Sequence, residues 1–186
     1  MDMIFASNNK GKLEEIRKIF NEYRIYSLKE KNIDIDVIED QDTFLGNAKK
    51  KAKEIYDIAH EEVIADDSGL CINSLDGFPG VMTHRFLGED ATPKERNIYL
   101  INELNKYENR SAEVVCNLVY YDGKKYKIGI GILKGKIAKE CRGDNGFGFD
   151  EIFELDNGKT LAEISKEEKN KISARYMAAK DLKKKL

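Results

Sequence analysis

Segments with the apolar spacing of strands alternate along this chain with longer segments that repeat apolar residues at helical spacing. This alternation favours helices packed on a sheet, because a strand face and a helix stripe each need an apolar partner. The predicted strands are Met3–Ala6, Arg24–Leu28, Asp34–Ile38, Val63–Ala65, Leu70–Asn73, Ala112–Tyr121 and Lys125–Leu133. The predicted helices are a segment with Leu13, Ile16, Ile19 and Phe20 on one face, then Thr43–Ala59, Pro93–Lys106 and a last helix opened by the capping box Ser165/Glu168. We therefore predict an α/β protein with a mixed sheet flanked by helices.

Composition agrees with one folded domain that spans residues 1–186. The hydrophobic fraction is 41% and the charged fraction 35%, which is typical of a folded chain with a well-solvated surface. No apolar run approaches the ~20 residues that cross a bilayer, so we expect no membrane partner. No linker or repeat divides the sequence.

The cysteines and the first residues together predict a cytoplasmic protein. The 3 cysteines form no CxxC pair, which favours thiols in a reducing compartment over disulfides. Met1–Phe20 has no basic region followed by an apolar stretch, so we expect no export signal.

Net charge and histidine content argue against a long nucleic acid as partner and against a metal site built from histidines. The formal charge of −2 gives no overall basic field for a long nucleic acid. Only 2 histidines are present, far apart in sequence, so we expect any metal ion to be hard and bound by oxygen.

Ser7-x-Asn9-x-x-Lys12 lies where the first predicted strand meets the first helix. Free backbone N–H groups and the helix dipole attract phosphate at such a junction. The Ser and Asn side chains add neutral hydrogen bonds, and Lys12 adds a positive charge. The alternative is that Ser7 or Asn8 simply caps the helix.

Asp66 and Asp67 are predicted to end an apolar strand, just before Ser68-Gly69. Burying unpaired carboxylates is costly, so the pair suits Mg²⁺, which commonly bridges carboxylates and substrate phosphates. Neighbouring strand residues point to opposite faces, so only one of the two should face a given cleft unless the turn begins there. A turn or a helix cap is the alternative interpretation.

Two further segments can contact a ligand. In Gly143–Asp150, two phenylalanines bracket Gly148 and can stack on a base, whose edge Asp150 can read. The alternative is a glycine-rich loop with core aromatics. In the last helix, Lys169 and Ser173 are spaced to share one face, as are Lys171 and Arg175. Taken alone, this segment reads as a solvated basic helix.

Two glycine-containing segments resemble known nucleotide-binding motifs but lack a required glycine. Gly158-Lys159-Thr160 lacks the upstream glycine of a P-loop, because that position is Phe153. Gly129-x-Gly131 lacks the third glycine of a dinucleotide fingerprint, because that position is Lys134.

Taken in order, the segments resemble the inosine triphosphate pyrophosphatase family, whose members hydrolyse non-canonical purine nucleoside triphosphates. The similarity covers nearly the whole chain. Its motifs are Phe5-Ala-Ser-Asn-Asn-Lys-Gly-Lys-Leu-Glu-Glu, Ala65-Asp-Asp-Ser-Gly-Leu, Gly77-Phe-Pro-Gly, Gly146-Phe-Gly-Phe-Asp and Glu167-Glu-Lys-Asn-Lys-Ile-Ser-Ala-Arg. The resemblance implies an elongated fold with two lobes around a nucleotide-binding cleft, a homodimer, and Mg²⁺-dependent hydrolysis of ITP, dITP and XTP to monophosphate and pyrophosphate.

The same resemblance implies roles for individual residues. Asp67 and Lys51 are implied as catalytic, with Asp67 similar to the residue proposed to activate the attacking water. The implied metal ligands are Glu39, Asp67 and Asp66. The implied substrate contacts are Ser7, Asn8, Asn9, Lys12, Ser68, Phe147, Gly148, Phe149, Asp150, Lys169, Ser173 and Arg175.

Two positions depart from the family pattern. The family's last motif is usually Ser-His-Arg, whereas this chain has Ala174 in the middle, which removes a base-edge hydrogen-bonding group. Relatives commonly have Glu before Asn in the second helix, whereas this chain has Gly46. These departures leave two alternatives open: a pyrophosphatase for another unusual nucleotide, or a nucleotide sensor that does not hydrolyse.

Overall fold

The structure is a computed structural model that describes residues 2–88 and 90–186. Its strands are β1 Asp2–Phe5, β2 Arg24–Ser27, β3 Val63–Ile72, β4 Ser111–Tyr121, β5 Tyr126–Ile137 and β6 Phe153–Glu154. Its α-helices are α1 Lys10–Ile19, α2 Phe44–Ala59, α3 Pro93–Glu103, α4 Lys166–Ile172 and α5 Ala174–Lys183. The strands form one sheet in the order β2-β1-β3-β4-β5-β6. Both β2 and β3 pair parallel with β1, and β6 pairs antiparallel with β5, which confirms the predicted α/β class with a mixed sheet.

Local sequence signals explain where the helices begin. The side chains of Asn9 and Thr43 accept hydrogen bonds from backbone N–H groups in the first turns of α1 and α2. A complete capping box opens α3, with Pro93 in its first turn, and the predicted box Ser165/Glu168 opens α4.

The chain folds into two compact units. The first comprises the chain up to Ser68 together with Cys116–Gly131 and Ala174–Leu186, and the second comprises Gly69–Val115 and Ile132–Ser173. The chain passes between them within β3, β4 and β5 and again just before α5. The expectation of a single domain over residues 1–186 stays a prediction.

In the first unit, α2 packs on the sheet through Ala48, Ala52 and Ile55, all fully buried. Helix α5 lies directly against β5, and two glycines make this approach possible. A Cβ at Gly129 would lie 2.1 Å from the carbonyl oxygen of Ala178, and one at Gly131 would lie 1.9 Å from that of Ala174. The Gly129-x-Gly131 pair therefore serves helix–strand packing.

Three expectations about secondary structure were wrong. Residues 34–38 keep the alternating exposure of a strand, but they pair with no strand among the described residues. The strand predicted to end at Asp66 continues to Ile72, so both aspartates lie inside β3. The predicted last helix is broken at Ser173, whose φ of −61° and ψ of 150° are extended, so Arg175 belongs to a separate helix. Serine suits such a break, because it favours helix caps over helix interiors.

Among the described residues, none of the helices is both long enough and apolar enough to span a membrane.

Candidate active site

Asp66 and Asp67 stand side by side in β3, and their environments differ because neighbouring strand residues face opposite ways. Both are buried, with relative exposures of 1% and 4%. Charged groups this deeply buried need compensating partners, and each aspartate has a different set.

Asp66 is held by two cations of the first unit. Lys12 Nζ lies 3.1 Å from Asp66 Oδ2, and Arg175 donates to the same oxygen from Nε at 3.2 Å and from Nη2 at 3.1 Å. Arg175 also donates from Nη1 to Glu15 Oε2 at 2.8 Å and from Nη2 to Ser68 Oγ at 3.4 Å. These contacts link the helix α1, the strand β3 and the first turn of α5.

The charges of this network fix the ionisation of its members. Burial opposes the charged form of Asp66, but Lys12, Arg175 and Lys51 outweigh it and hold the pKa of Asp66 well below its usual value. Burial likewise opposes the charged form of Arg175, but Asp66 and Glu15 outweigh it and raise the pKa of Arg175. Asp66 is therefore ionised at neutral pH.

Asp67 has mostly neutral donors. Asn47 Nδ2 donates to Asp67 Oδ2 at 3.0 Å, and the backbone N–H of Ser68 donates to Oδ1 at 3.0 Å. Lys51 Nζ is 3.9 Å from Asp67 Oδ1 and only 2.6 Å from Glu39 Oε1, so its charge is shared by two carboxylates.

This environment tunes the acidity of Asp67. Burial, reinforced by the nearby charges of Glu39 and Asp66, raises the pKa of Asp67 to about 6 against the lowering effects of Lys51 and Asn47. For Lys51, burial opposes the charged form, but Asp66, Asp67 and Glu39 outweigh it and raise the pKa. The strand thus carries one carboxylate fixed as an anion and, next to it, one that exchanges a proton near neutral pH.

Glu39 and Asp67 fit the ligand set of a magnesium ion. Mg²⁺ in enzymes is commonly bound by one or two carboxylates and completes its shell with waters and substrate phosphates. Both carboxylates already face the ammonium group of Lys51, which shows that a positive charge is stabilised there. Within residues 2–88 and 90–186, no group of three or more His, Cys, Asp and Glu side chains is arranged to hold a metal by itself. Asp66 as a third ligand stays a prediction, and its carboxylate is engaged by Lys12 and Arg175.

The predicted phosphate segment forms the turn between β1 and α1. Ser7 Oγ accepts from the backbone N–H of Asn9, and Asn9 Oδ1 accepts from that of Lys12 at 3.1 Å. Asn8 and Asn9 are exposed, and Ser7 is half-buried. Asn9 is therefore the helix cap, and an exposed polar turn at the start of a helix can receive an anion.

The second unit contains a separate polar and aromatic cluster. Lys169 Nζ donates to Asp150 Oδ2 at 2.5 Å, and the same oxygen accepts from the backbone N–H of Phe147 at 2.7 Å. Lys169 Nζ also lies 4.3 Å from the centroid of the Phe147 ring. Asp150 and Lys169 are both buried, whereas Phe147 is 44% exposed.

The two phenylalanines of this loop, Phe147 and Phe149, have different environments. Phe149 stacks on Phe86, with 6.2 Å between ring centroids and 16° between ring planes, so it anchors the loop from within. The buried Asn97 donates from Nδ2 to the carbonyl oxygen of Gly148 at 3.1 Å and fixes the turn between the two rings. Of the two side chains, that of Phe147 is the more exposed.

The sequence-predicted residues thus fall into two groups. The first unit contains Ser7, Asn8, Asn9, Lys12, Glu39, Lys51, Asp66, Asp67, Ser68 and Arg175, and the second contains Phe147, Gly148, Phe149, Asp150, Lys169 and Ser173. In the first unit, direct contacts join Lys12, Asp66, Ser68 and Arg175, and likewise Glu39, Lys51 and Asp67. Sequence reasoning missed Glu15, Asn47 and Asn97. A charged or amide residue on the apolar stripe of a predicted helix is the signal that can reveal such positions, since each is buried.

Comparison with known proteins gives a consistent result. The Ham1 family model matches residues 3–185. A dITP/XTP pyrophosphatase of Thermoanaerobacter sp. (strain X514) is 42% identical over 188 residues, covering 98% of this chain and 95% of that protein. A dITP/XTP pyrophosphatase of Clostridium tetani is 38% identical over 191 residues, covering 99% and 95%. The solved structure of a HAM1 protein from Coxiella burnetii matches with a TM-score of 0.93 at 33% identity, covering 99% of this chain and 97% of that one.

The relatives from Thermoanaerobacter and Clostridium tetani are named as pyrophosphatases, which are enzymes, and this confirms the prediction that this chain is one. Their coverage shows that the similarity is not confined to single motifs. The resemblance read from the ordered motifs is confirmed over nearly the full length, and the chain belongs to the Ham1 family.

Proposed function

We propose that the protein is a Mg²⁺-dependent pyrophosphatase that hydrolyses ITP, dITP and XTP to the nucleoside monophosphate and pyrophosphate, and so removes non-canonical purines from the nucleotide pool. The observation that carries the proposal is the pair of neighbouring carboxylates in β3. Asp66 is locked as an anion by Lys12 and Arg175, whereas Asp67 has a pKa of about 6 beside Glu39 and Lys51. The names of the relatives support the substrate class.

We assign the phosphate chain to the turn of Ser7, Asn8 and Asn9 and to the two lysines, Lys12 and Lys51. Phosphoryl transfer depends mainly on positioning and charge neutralisation, and these residues offer both. Lys12 is oriented by Asp66, and Lys51 by Glu39 at 2.6 Å, so neither ammonium group has to be ordered when the substrate arrives.

We assign the role of general base to Asp67. Its pKa near neutrality suits proton abstraction from an attacking water, and Asn47 and Ser68 hold its carboxylate in one orientation. Glu39 and Asp67 would hold Mg²⁺, which when bound supplies Lewis-acid stabilisation of phosphate charge and lowers the pKa of water.

We assign recognition of the heterocycle to Phe147, Gly148, Phe149, Asp150, Lys169 and Ser173, with Ser68 and Arg175 as further nucleotide contacts. Phe147 offers the exposed ring, and Phe149 supports its loop by stacking on Phe86. Arg175 can only donate hydrogen bonds, which suits the 6-oxo acceptor of hypoxanthine or xanthine. The amine of adenine would leave donors facing donors, at a cost of ~1–3 kcal/mol per unpaired buried group.

We further propose that residues 1–186 act as one catalytic domain, in a homodimer in the cytoplasm. The three cysteines are free thiols and form no CxxC pair, which supports placing the protein in a reducing compartment. A small-molecule nucleotide is the expected partner, because the net charge of −2 does not favour a long nucleic acid.

One assay tests the function. Purified protein with Mg²⁺ is given ITP, XTP, dITP, GTP, ATP and modified pyrimidine triphosphates, and the products are identified by chromatography and ³¹P NMR. Monophosphate plus pyrophosphate from ITP or XTP supports the proposal, and release of orthophosphate contradicts it. Preference for a modified pyrimidine would point to a pyrophosphatase for another unusual nucleotide. Binding without turnover would point to a nucleotide sensor.

Asp67→Asn tests the assignment of the base, with Lys53→Ala on the exposed face of α2 as the control. The asparagine variant should lose turnover but still bind ITP in the presence of Ca²⁺, measured by calorimetry. Normal turnover in this variant would refute the role of Asp67.

A further inference from the structure

Asn47 is a fully buried amide whose two ends are both used. Its Oδ1 accepts a hydrogen bond from the backbone N–H of Gln41 at 2.9 Å, and its Nδ2 donates to Asp67 Oδ2 at 3.0 Å. A backbone N–H can only donate, so the atom facing Gln41 must be the oxygen and the amide orientation is fixed. The NH₂ group is consequently directed at the Asp67 carboxylate.

The hydrogen bond from Gln41 connects Asn47 to the segment that carries Glu39. Gln41 lies two residues after Glu39 in the segment that precedes α2, and Lys51 of α2 holds Glu39 at 2.6 Å. Asn47 therefore joins three parts of the first unit: β3 through Asp67, α2 through its own backbone, and the Glu39-bearing segment through Gln41.

Gly46 lets this segment approach the helix. A Cβ at position 46 would lie 2.9 Å from Gln41 Cβ and 3.1 Å from Thr43 Oγ1, closer than such carbons normally come. Cβ of Gln41 cannot swing away as the end of a long side chain can, so an added side chain at position 46 must push the segment off the helix. The hydrogen bond from Gln41 to Asn47 would lengthen as a result.

We infer that Asn47 is a positioning residue that sets the distance and orientation of Asp67 relative to Glu39, and that Gly46 is required because its missing side chain allows the Asn47–Gln41 bond. The inference rests on the proposed function for its catalytic readout only. Both residues act through Asp67 and Glu39, and neither is assigned a contact with substrate.

Asn47→Ala is the first test. Loss of an outer partner of a catalytic or metal-binding carboxylate lowers activity or metal affinity ~10–100-fold. We expect kcat for ITP to fall by about that factor while KM changes by less than about threefold, since ground-state contacts to the nucleotide remain. The affinity for Mn²⁺, titrated by electron paramagnetic resonance without nucleotide, should fall in parallel.

Ile55→Ala is the matched control for lost stability. Ile55 is also fully buried in α2, so its truncation leaves a cavity in the same helix without touching Asp67. If Asn47 were merely structural, Asn47→Ala and Ile55→Ala would lower the melting temperature while kcat per folded molecule and Mn²⁺ affinity stayed at the wild-type values. That result would overturn the inference.

Gly46→Ala is the second test, because alanine favours a helix more than glycine and leaves every polar group of the site in place. We expect kcat and Mn²⁺ affinity to fall several-fold, and the double variant Gly46→Ala/Gln41→Gly to recover activity relative to Gly46→Ala once the effect of Gln41→Gly alone is subtracted. Unchanged kcat and Mn²⁺ affinity in Gly46→Ala would refute the packing argument. Should the wild type hydrolyse none of the triphosphates, the proposed function fails, and the Mn²⁺ titrations still decide the role of Asn47.

Discussion

Replacing Asp67 with asparagine is expected to stabilise the folded protein above pH 6, although it should abolish turnover. The pKa of Asp67 is raised from 3.8 to about 6 in the folded state. The folded state therefore holds a proton more tightly than the unfolded chain, and ionising Asp67 destabilises the fold as pH rises between about 4 and 6. Asparagine has the shape of the carboxylate without its charge. Its oxygen can accept the hydrogen bond from Asn47, whereas its NH₂ group then faces the backbone N–H of Ser68.

The pKa shift of Asp67 gives the size of the expected gain in the free energy of unfolding. At ~1.36 kcal/mol per pKa unit, a rise from 3.8 to about 6 corresponds to about 3 kcal/mol, which is an upper bound for the gain. The pKa shift already includes the attraction of Lys51. Because the NH₂ group of asparagine fits less well beside Ser68, we expect a gain of about 1–3 kcal/mol at pH 8 and no gain at pH 4. For a protein of this size, each kcal/mol moves the melting temperature by about 2–4 °C.

Asp66→Asn provides the matched control, because the pKa of Asp66 is shifted in the opposite direction to that of Asp67. The pKa of Asp66 is lowered in the folded state, so its contribution to stability is present above pH ~4 and is lost as pH falls. Its removal leaves Arg175 and Lys12 without their shared buried partner, and breaking such a pair costs ~3–5 kcal/mol.

Urea unfolding of the three proteins between pH 4 and pH 8, in EDTA and without nucleotide, checks both signs. We expect the free energy of unfolding of Asp67→Asn to exceed that of the wild type by a margin that opens between pH 4 and pH 6. Asp66→Asn should be the least stable at pH 7. An Asp67→Asn variant that is no more stable than the wild type at pH 8, or a margin that does not depend on pH, would refute the electrostatic description of this pair.

Three other substitutions test separate parts of the structure. Phe149 is half-buried, so Phe149→Ala should lower the free energy of unfolding by ~1–3 kcal/mol, whereas Phe147→Ala should change it little and reduce kcat/KM for ITP. Equal effects of the two substitutions in urea unfolding and in steady-state kinetics would contradict the division between anchor and ligand contact. Gly131→Ala should destabilise by ~1–3 kcal/mol, because its Cβ would meet the backbone of α5, and an unchanged melting temperature would count against this close packing. Ala174→His should raise the ratio of kcat/KM for ITP to that for ATP, and an unchanged ratio would argue that position 174 does not affect base selection.

Much of the architecture could be predicted from local signals. An apolar run located β1, whose Met3, Ile4 and Phe5 are buried in succession, and helical spacing located the helices through α3. The predicted capping box at Ser165 marked the start of α4 within one residue. The predicted strands Ala112–Tyr121 and Lys125–Leu133 agree with β4 and β5, which flank Asp122-Gly123 and are neighbours in the sheet. The motif order was sufficient for the family, because motif residues are constrained by chemistry that sequence records directly.

Local signals failed where hydrogen bonding between distant segments decides the outcome. Residues 34–38 alternate in exposure as a strand does, yet a strand exists only if a neighbour supplies a ladder. Periodicity also extended the last helix through Ser173, since a side-chain pattern does not show that one residue turns the backbone to an extended conformation.

The sequence by itself determined the fold class, the family and the residue types of the site. The tertiary structure alone decided how Asp66 and Asp67 differ, because their acidities depend on groups from three other parts of the chain, the helices α1, α2 and α5. Lys12 and Arg175 reach one carboxylate, and Asn47 and Lys51 reach the other. Two adjacent aspartates are chemically identical in a sequence, and only burial and the charges placed around each by the fold make one a fixed anion and the other a group that titrates near pH 6.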